Sequence, residues 1–224
     1  MTLAELNAEL IACRRCPRLV TWREQVAREK RRAYQDWEYW GKPVPGFGDP
    51  QARVLVVGLA PGAHGSNRTG RMFTGDGSGD FLYPALHRAG FASKPEARSR
   101  DDGLALKDLY ITAVCRCAPP ENKPSLQEMA NCRPYLEQEI LLLQPKVFVA
   151  LGRIAFDALT SIFKAPSSIA FSHNAAYYLE AKRLITDYWL LCSYHPSRQN
   201  TQTGRLTADM FNQVWKSVQE LLDK

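Results

Sequence analysis

Four short apolar runs, each followed by a helical pattern, constrain this chain more than any other feature. They are Arg53–Gly58, Asp108–Val114, Lys146–Leu151 and Tyr188–Tyr194. Each is continuous rather than alternating in polarity, which is how a strand buried on both faces reads. Helical periodicity occupies Gly79–Gly90, Ser125–Leu143 and Arg153–Phe163, and a last helix near Leu206–Leu222 closes the chain. Strand–helix alternation of this kind predicts a parallel sheet covered on both faces. With 224 residues, one α/β domain or one domain with a small appendage accounts for the whole chain.

Ligands of such sheets sit at the carboxyl ends of the strands. After the first run comes GLAPGAHGSNRTGRMFTGDGSG, Gly58 to Gly79, with seven glycines and then a helix. Glycine lets backbone amides approach a ligand closely. The loop also carries His64, Asn67, Arg68, Arg71, Phe73 and Asp76. An aromatic face, guanidinium groups and one carboxylate suit a planar base on a phosphate backbone. The pattern GxxxxGK[ST] is absent, which excludes a phosphate-cradling P-loop.

The second strand runs into CAPPENKP, where Asn122 has donors and acceptors suited to a base edge, although turn asparagines are common. After the fourth strand, His195 stands in a His-Pro-Ser turn, followed by Arg198 and a polar stretch fit to contact phosphates. Of the four histidines, His195 is placed best; His87 and His173 read as incidental.

The first 45 residues read differently. A short amphipathic helix over residues 2–12 ends in Cys13-Arg14-Arg15-Cys16-Pro17. A basic helical stretch from Arg18 to Ala33 follows, then the aromatic segment Tyr34–Trp40, where we expect Trp37 and Trp40 to pack against the domain rather than stack on nucleic acid. Segment Ser93–Gly103 is charged and reads as an exposed excursion. The balance of 29 basic and 23 acidic residues gives a net charge of +6, which permits nucleic-acid binding without requiring it. No run of about 18 apolar residues suggests a membrane span, and Met1–Leu6 lacks the character of a signal peptide. We therefore expect a cytoplasmic protein.

Six cysteines in an intracellular chain argue for a metal site or core thiols rather than disulfides. Cys13 and Cys16 form a CxxC pair; with Cys117 and Cys132 they make a plausible thiolate quartet. Strand alternation points Cys115 to the same side as Cys117, so spacing leaves Cys115 open as well. Cys192 lies inside an apolar strand and reads as a core thiol. Spacing does not separate zinc from an iron–sulfur cluster, nor does it remove a redox CxxC or a set of unligated thiols.

Taken together, GLAPGAHGSNRTGRMFTGD, the amino-terminal CxxC, CAPPENK with a further cysteine, HPSRQN and the preceding DWEYWGKPVPGFGDP resemble the family 5 uracil-DNA glycosylases. The resemblance runs from Cys13 to the last helix. It implies a three-layer α/β/α sandwich with a central four-stranded parallel sheet, as one domain over residues 1–224 whose helical segment 1–45 is tied down by a [4Fe-4S] cluster. By the related family 4 pattern, the cluster ligands fall on Cys13, Cys16, Cys117 and Cys132. The resemblance also implies removal of uracil, and of other deaminated bases such as hypoxanthine and xanthine, from DNA; we expect double-stranded and also single-stranded DNA as the partner and a monomeric chain. The aromatic that stacks on a flipped base falls on Phe73, and the motif histidine on His195.

The chain departs from the wider superfamily in two places. Leu59 and Ala60 stand where other members carry an acidic residue or asparagine, and Ala113 stands where family 4 carries a base-reading asparagine. Family 5 shares both losses. On this reading the Gly62 and Ala63 amides hold a base carbonyl, Phe73 supplies a π-face and Asn122 inherits base reading. His195 then stabilises charge on the departing base, and Asp76 orients water or offsets the oxocarbenium charge. Arg68, Arg71 and Arg198 contact phosphates. Asp80 and Asp49 are the other carboxylates nearby. Two alternatives remain: a cluster-bearing protein that binds damaged DNA without cleaving it, and a zinc-stabilised hydrolase acting on nucleotides or RNA.

Overall fold

The computed structural model describes residues 1–181 and 184–224. In chain order the helices are α1 (Leu3–Ile11), α2 (Pro17–Glu29), α3 (Ser66–Thr69), α4 (Gly79–Arg88), α5 (Leu126–Leu143), α6 (Arg153–Phe163), α7 (Arg198–Gln202) and α8 (Ala208–Leu222). The strands are β1 (Phe47–Gly48), β2 (Val54–Gly58), β3 (Leu109–Ala113), β4 (Val147–Leu151), β5 (Ala176–Leu179) and β6 (Tyr188–Ser193). They form one sheet in the order β1-β3-β2-β4-β6-β5.

The central four strands are parallel, with Val54 opposite both Leu109 and Val147, and Val147 opposite Trp189. This is the expected parallel centre. Two short antiparallel edges extend it, Phe47 opposite Ile111 and Ala176 opposite Leu191, so the sheet is mixed and six-stranded. Neither edge shows in the sequence as a strand, because two and four half-covered residues carry too little apolar signal.

Strand alternation sends side chains to two separate cores. Val54 and Val56 meet Leu82 of α4 and Trp215 of α8, while Leu55 and Val57 meet Ile140 of α5 and Phe156 of α6. Helices therefore cover both faces, giving three layers. Burying a side chain of this size contributes about 1.5–3 kcal/mol, so a polar group at Val56 would be unsatisfied and costly.

Local signals set the helix ends. Thr2 and Glu5 form a capping box at α1, Ser125 and Glu128 another at α5, and Thr207 caps α8. The basic helix α2 ends earlier than its composition suggests, because Lys30 turns to φ +55° and a 3-10 turn follows at Arg32–Tyr34. Leu6 and Leu10 of α1 pack on Tyr135 of α5. Segment 93–103 is more than an excursion: Asp102 pairs with Arg71, and Ala97 O accepts from Gly75 N at 3.3 Å. Among the described residues, no helix is long and apolar enough to cross a membrane.

Candidate active site

Chain order reverses between β3 and β4 on either side of β2, and the strands' carboxyl ends converge there. Gly58 ends β2, and a Cβ on it would stand 2.8 Å from Phe73 Cζ; only glycine lets that ring lie flat on the strand end. Phe73 itself sits at φ +52°, an outlier for a bulky residue and a form of strain that concentrates at functional sites. The ring packs 5.8 Å from the His195 imidazole at 31°. Neither imidazole nitrogen of His195 bonds to protein among the described residues, while its carbonyl accepts from Asn200 Nδ2 at 2.8 Å. Burial lowers its pKa to about 4, so the ring is neutral at physiological pH.

Asp76 is held by its own turn. Oδ1 accepts from the N–H groups of Ser78 and Gly79 at 3.0 and 3.1 Å. Oδ2 has no hydrogen-bond partner among the described residues and lies against Gly65 and Gly62, whose added Cβ atoms would stand 2.0 and 3.1 Å from it. Burial raises the Asp76 pKa above the ordinary value, and the two backbone bonds oppose that rise. A half-buried carboxylate with one fixed and one free oxygen is suited to orient water or face a growing positive charge. The N–H groups of Gly62 and Ala63 likewise have no intramolecular acceptor among the described residues, although Gly62 O accepts from Asn67 N at 3.0 Å. Asp80 is exposed, and Asp49 is occupied by the N–H groups of Gln51 and Asp108.

The three arginines divide. Arg198 is exposed and its side chain crosses Gly77 beside Asp76. Arg68 and Arg71 are 4% and 3% exposed, which corrects the expectation that they meet phosphates. Arg68 donates to the carbonyls of His64 and Gly75 and is covered by Tyr34 and Trp37, with ring centroids at 3.9 and 4.1 Å. Arg71 forms a bidentate pair with Asp102 at 2.9 and 2.7 Å and lies over Phe47. Both guanidinium groups brace the loop from inside. Trp40 packs on Gly70, so the aromatic segment is structural, as expected. Asn122 stands exposed at φ +57° with no side-chain hydrogen bond among the described residues, and it touches none of the other site residues through any ring or hydrogen-bond contact.

The cysteines gather behind this loop. Cys13 follows α1, Cys16 caps α2, Cys117 follows β3 and Cys132 lies on α5. Cys16, Leu19 and Cys117 pack as one buried group, Cys115 and Cys132 stand close enough to perturb each other, and Asn131 Nδ2 donates to Cys16 Sγ at 3.3 Å. Cys192 is buried in β6, a core thiol. Among the described residues, no three of the histidine, cysteine, aspartate and glutamate side chains stand close enough to enclose a metal ion as they are placed. The chemistry of the donors nonetheless fits a charged centre. Arg23 is 2% exposed, and Nη1 donates to Cys117 Sγ at 2.8 Å and Nη2 to Cys13 O at 3.3 Å, leaving Nε buried without an acceptor. It has no carboxylate in an ion pair with it among the described residues; adjacent Glu24 bonds Arg14 instead. Burial pushes the Cys117 thiol up to about 12. Neutral thiols would therefore leave a buried guanidinium uncompensated, whereas metal-bound thiolates would balance it.

Neither Arg23 nor Asn67, the latter noted only as part of the glycine-rich loop, had a role legible in the sequence. Arg23 follows Cys16 by seven residues on one helix, about two turns, which places both on one face; that spacing was the available signal. Asn67 gave none. It is fully buried, and Nδ2 donates to Arg23 O at 3.2 Å. His64, the remaining loop histidine, meets Tyr39 Oη at 3.1 Å through Nδ1.

The model of the uracil DNA glycosylase superfamily matches residues 45–219, and the chain belongs to that superfamily. It is 56% identical over 214 residues to the type-5 uracil-DNA glycosylase of Thermus thermophilus, covering 95% of this chain and 94% of that one. It is 49% identical over 224 residues to the type-5 uracil-DNA glycosylase of Mycobacterium leprae, covering 98% and 96%. Similarity to the type-4 uracil-DNA glycosylase of Pyrobaculum aerophilum is lower, 36% over 126 residues, covering 56% and 57%.

Proposed function

We propose that this protein is a uracil-DNA glycosylase that hydrolyses the bond between a deaminated base and its sugar in DNA, leaving an abasic site. One observation carries the proposal: the free Gly62 and Ala63 amides, Phe73 with its strained backbone, neutral His195 and half-buried Asp76 gather at the same parallel-strand ends in a superfamily member. The target nucleotide is flipped from the stack, since C1′ and the base edges are otherwise shielded. Phe73 stacks on the flipped base, and the two amides hold its carbonyl.

As the C1′–N1 bond breaks, its electron pair stays on the base while positive charge grows on the sugar. His195, being neutral, offers an N–H toward the oxygen that gains charge. Asp76 Oδ2 faces the oxocarbenium side and orients the water whose oxygen bonds to C1′. The proton from that water passes out through the carboxylate, and the departing base is protonated from solvent. Uracil is the principal substrate; hypoxanthine and xanthine fit the same site, because backbone amides discriminate less than a side-chain amide would. Asn122 stands apart on its exposed turn and does not narrow the choice of base, and Arg198 meets the phosphate. The chain acts inside the cell, as a monomer, on double- or single-stranded DNA, and residues 1–45 belong to the same unit as the sheet.

Cys13, Cys16, Cys117 and Cys132 would hold a [4Fe-4S] cluster; thiolate donors suit iron–sulfur centres and zinc alike. When bound, the cluster supplies a cross-link between the amino-terminal helices and the sheet, and negative charge beside Arg23. The test is single-turnover release from duplexes carrying one uracil, hypoxanthine or xanthine, read as alkali-labile breaks. Release of uracil supports the proposal. Binding without release from any duplex or single strand would overturn it in favour of a damage-binding protein.

A further inference from the structure

Arg23 makes two kinds of contact, one through its buried guanidinium and one through its backbone carbonyl. Its side chain bridges Cys117 Sγ and the carbonyl of Cys13, so it touches two of the segments that carry the cysteine centre. Its backbone carbonyl accepts from Asn67 Nδ2, and Asn67 N in turn fixes the Gly62 carbonyl. Asn67 O also receives Gly41 N at 3.0 Å, so this residue is held on three sides and has little freedom to drift. Helix α2, capped at its amino end by Cys16, thus links the centre and the loop whose amides face the base.

We propose that Arg23 is the counter-cation of the cysteine centre and, with Asn67 as the second positioning residue, the strut by which that centre holds the base-binding loop in place. The proposal rests on the glycosylase reading and on an iron–sulfur centre at these four cysteines. A donor on a ligating sulfur and a nearby positive charge both favour the electron-richer state of such a centre. Removing them moves its reduction midpoint to more negative potential. Freeing Asn67 from α2 lets the Gly62 and Ala63 amides drift from the base carbonyl, which weakens binding in the transition state without touching any reacting atom.

The experiment uses the iron-loaded holoenzyme and the variants Arg23→Gln, Arg23→Lys and Asn67→Ala. Visible absorption, the reduction midpoint by film voltammetry and single-turnover uracil release are measured for each. Arg23→Gln keeps the main-chain bond to Asn67 but unties α2 from Cys117 and Cys13, and it is expected to shift the midpoint negative and, by letting α2 shift, to slow release about tenfold. Asn67→Ala is expected to keep the wild-type absorption and midpoint and to slow release by about the same factor. Arg23→Lys, a point charge that cannot bridge both partners, is expected to fall between wild type and Arg23→Gln in both readouts. An unchanged midpoint in Arg23→Gln overturns the counter-cation role, and unchanged release in Asn67→Ala overturns the strut. Should Arg23→Gln not fold, wild-type values in both readouts for Arg23→Lys overturn the proposal. A wild-type protein that binds iron but releases no base refutes the glycosylase reading instead, and the midpoint then judges the counter-cation on its own.

Discussion

Gly65→Ala tests the placement of Asp76 without altering its chemistry. A methyl group there would stand 2.0 Å from Asp76 Oδ2, 2.7 Å from Cγ and 2.8 Å from Cβ. Ordinary contact begins at 3.4 Å, so the carboxylate must withdraw by about 1.4 Å. The glycine cannot retreat easily in its place, because Gly65 O is held by Arg68 N and Thr69 N at 2.9 and 3.0 Å. Withdrawal breaks the bonds from Ser78 and Gly79 to Oδ1, at a cost of roughly 1.5–3 kcal/mol for each bond to a charged group. A misplacement of about 1 Å costs roughly a hundredfold in rate, and that is the loss we expect in single-turnover uracil release.

Asp76→Asn should lose a similar factor: a unit charge ~5 Å from the sugar at an effective dielectric of about 20 is worth about 3 kcal/mol, roughly two orders of magnitude. The decisive comparison is the double variant. If Gly65→Ala acts through the carboxylate, adding it to Asp76→Asn slows release by less than about threefold, the mark of coupled sites. A full hundredfold further loss in that background, or a wild-type rate for Gly65→Ala alone at unchanged DNA affinity, would refute the reasoning.

Other expectations follow from the same contacts. His195→Ala should slow release about a hundredfold with DNA affinity retained; because burial holds the ring's pKa at about 4, the wild-type rate should show no inflection near pH 6.5. Asp102→Asn leaves Arg71 buried without its counter-charge and should cost about 3 kcal/mol, measured by urea unfolding. Burial alone would raise the Asp102 carboxyl, but Arg71 and the N–H groups of Leu104, Arg98 and Ser99 outweigh it and hold it well below the usual range. Its stabilisation is therefore complete above an ordinary carboxylate pKa of ~4 and is lost as pH falls below that, so the variant should unfold with a flatter acid limb than wild type. Cys117→Ser should abolish visible absorbance and lower Tm by roughly 5–15 °C, whereas Cys192→Ser and Cys115→Ser should keep the colour.

The chain itself determined the parallel centre, because four continuous apolar runs admit few other arrangements, and it placed Phe73, Asp76 and His195 at strand ends by position alone. It also showed which segments carry cysteines, while their spacing left a cluster, zinc and unligated thiols all open. The short edge strands were invisible, since two or four residues leave no periodic trace. Only the tertiary structure decided what the charged residues do. Arg68 and Arg71 read as phosphate contacts because a guanidinium in a polar loop is normally solvated, yet aromatic rings and Asp102, brought in from 30 or more residues away, enclose them. The same holds for Arg23 and Asn67, whose partners lie 94 and 44 residues distant. Apolar burial follows a local period that the sequence displays, whereas a polar group's role depends on which acceptor folding delivers to it, and that choice is made between segments far apart in the chain.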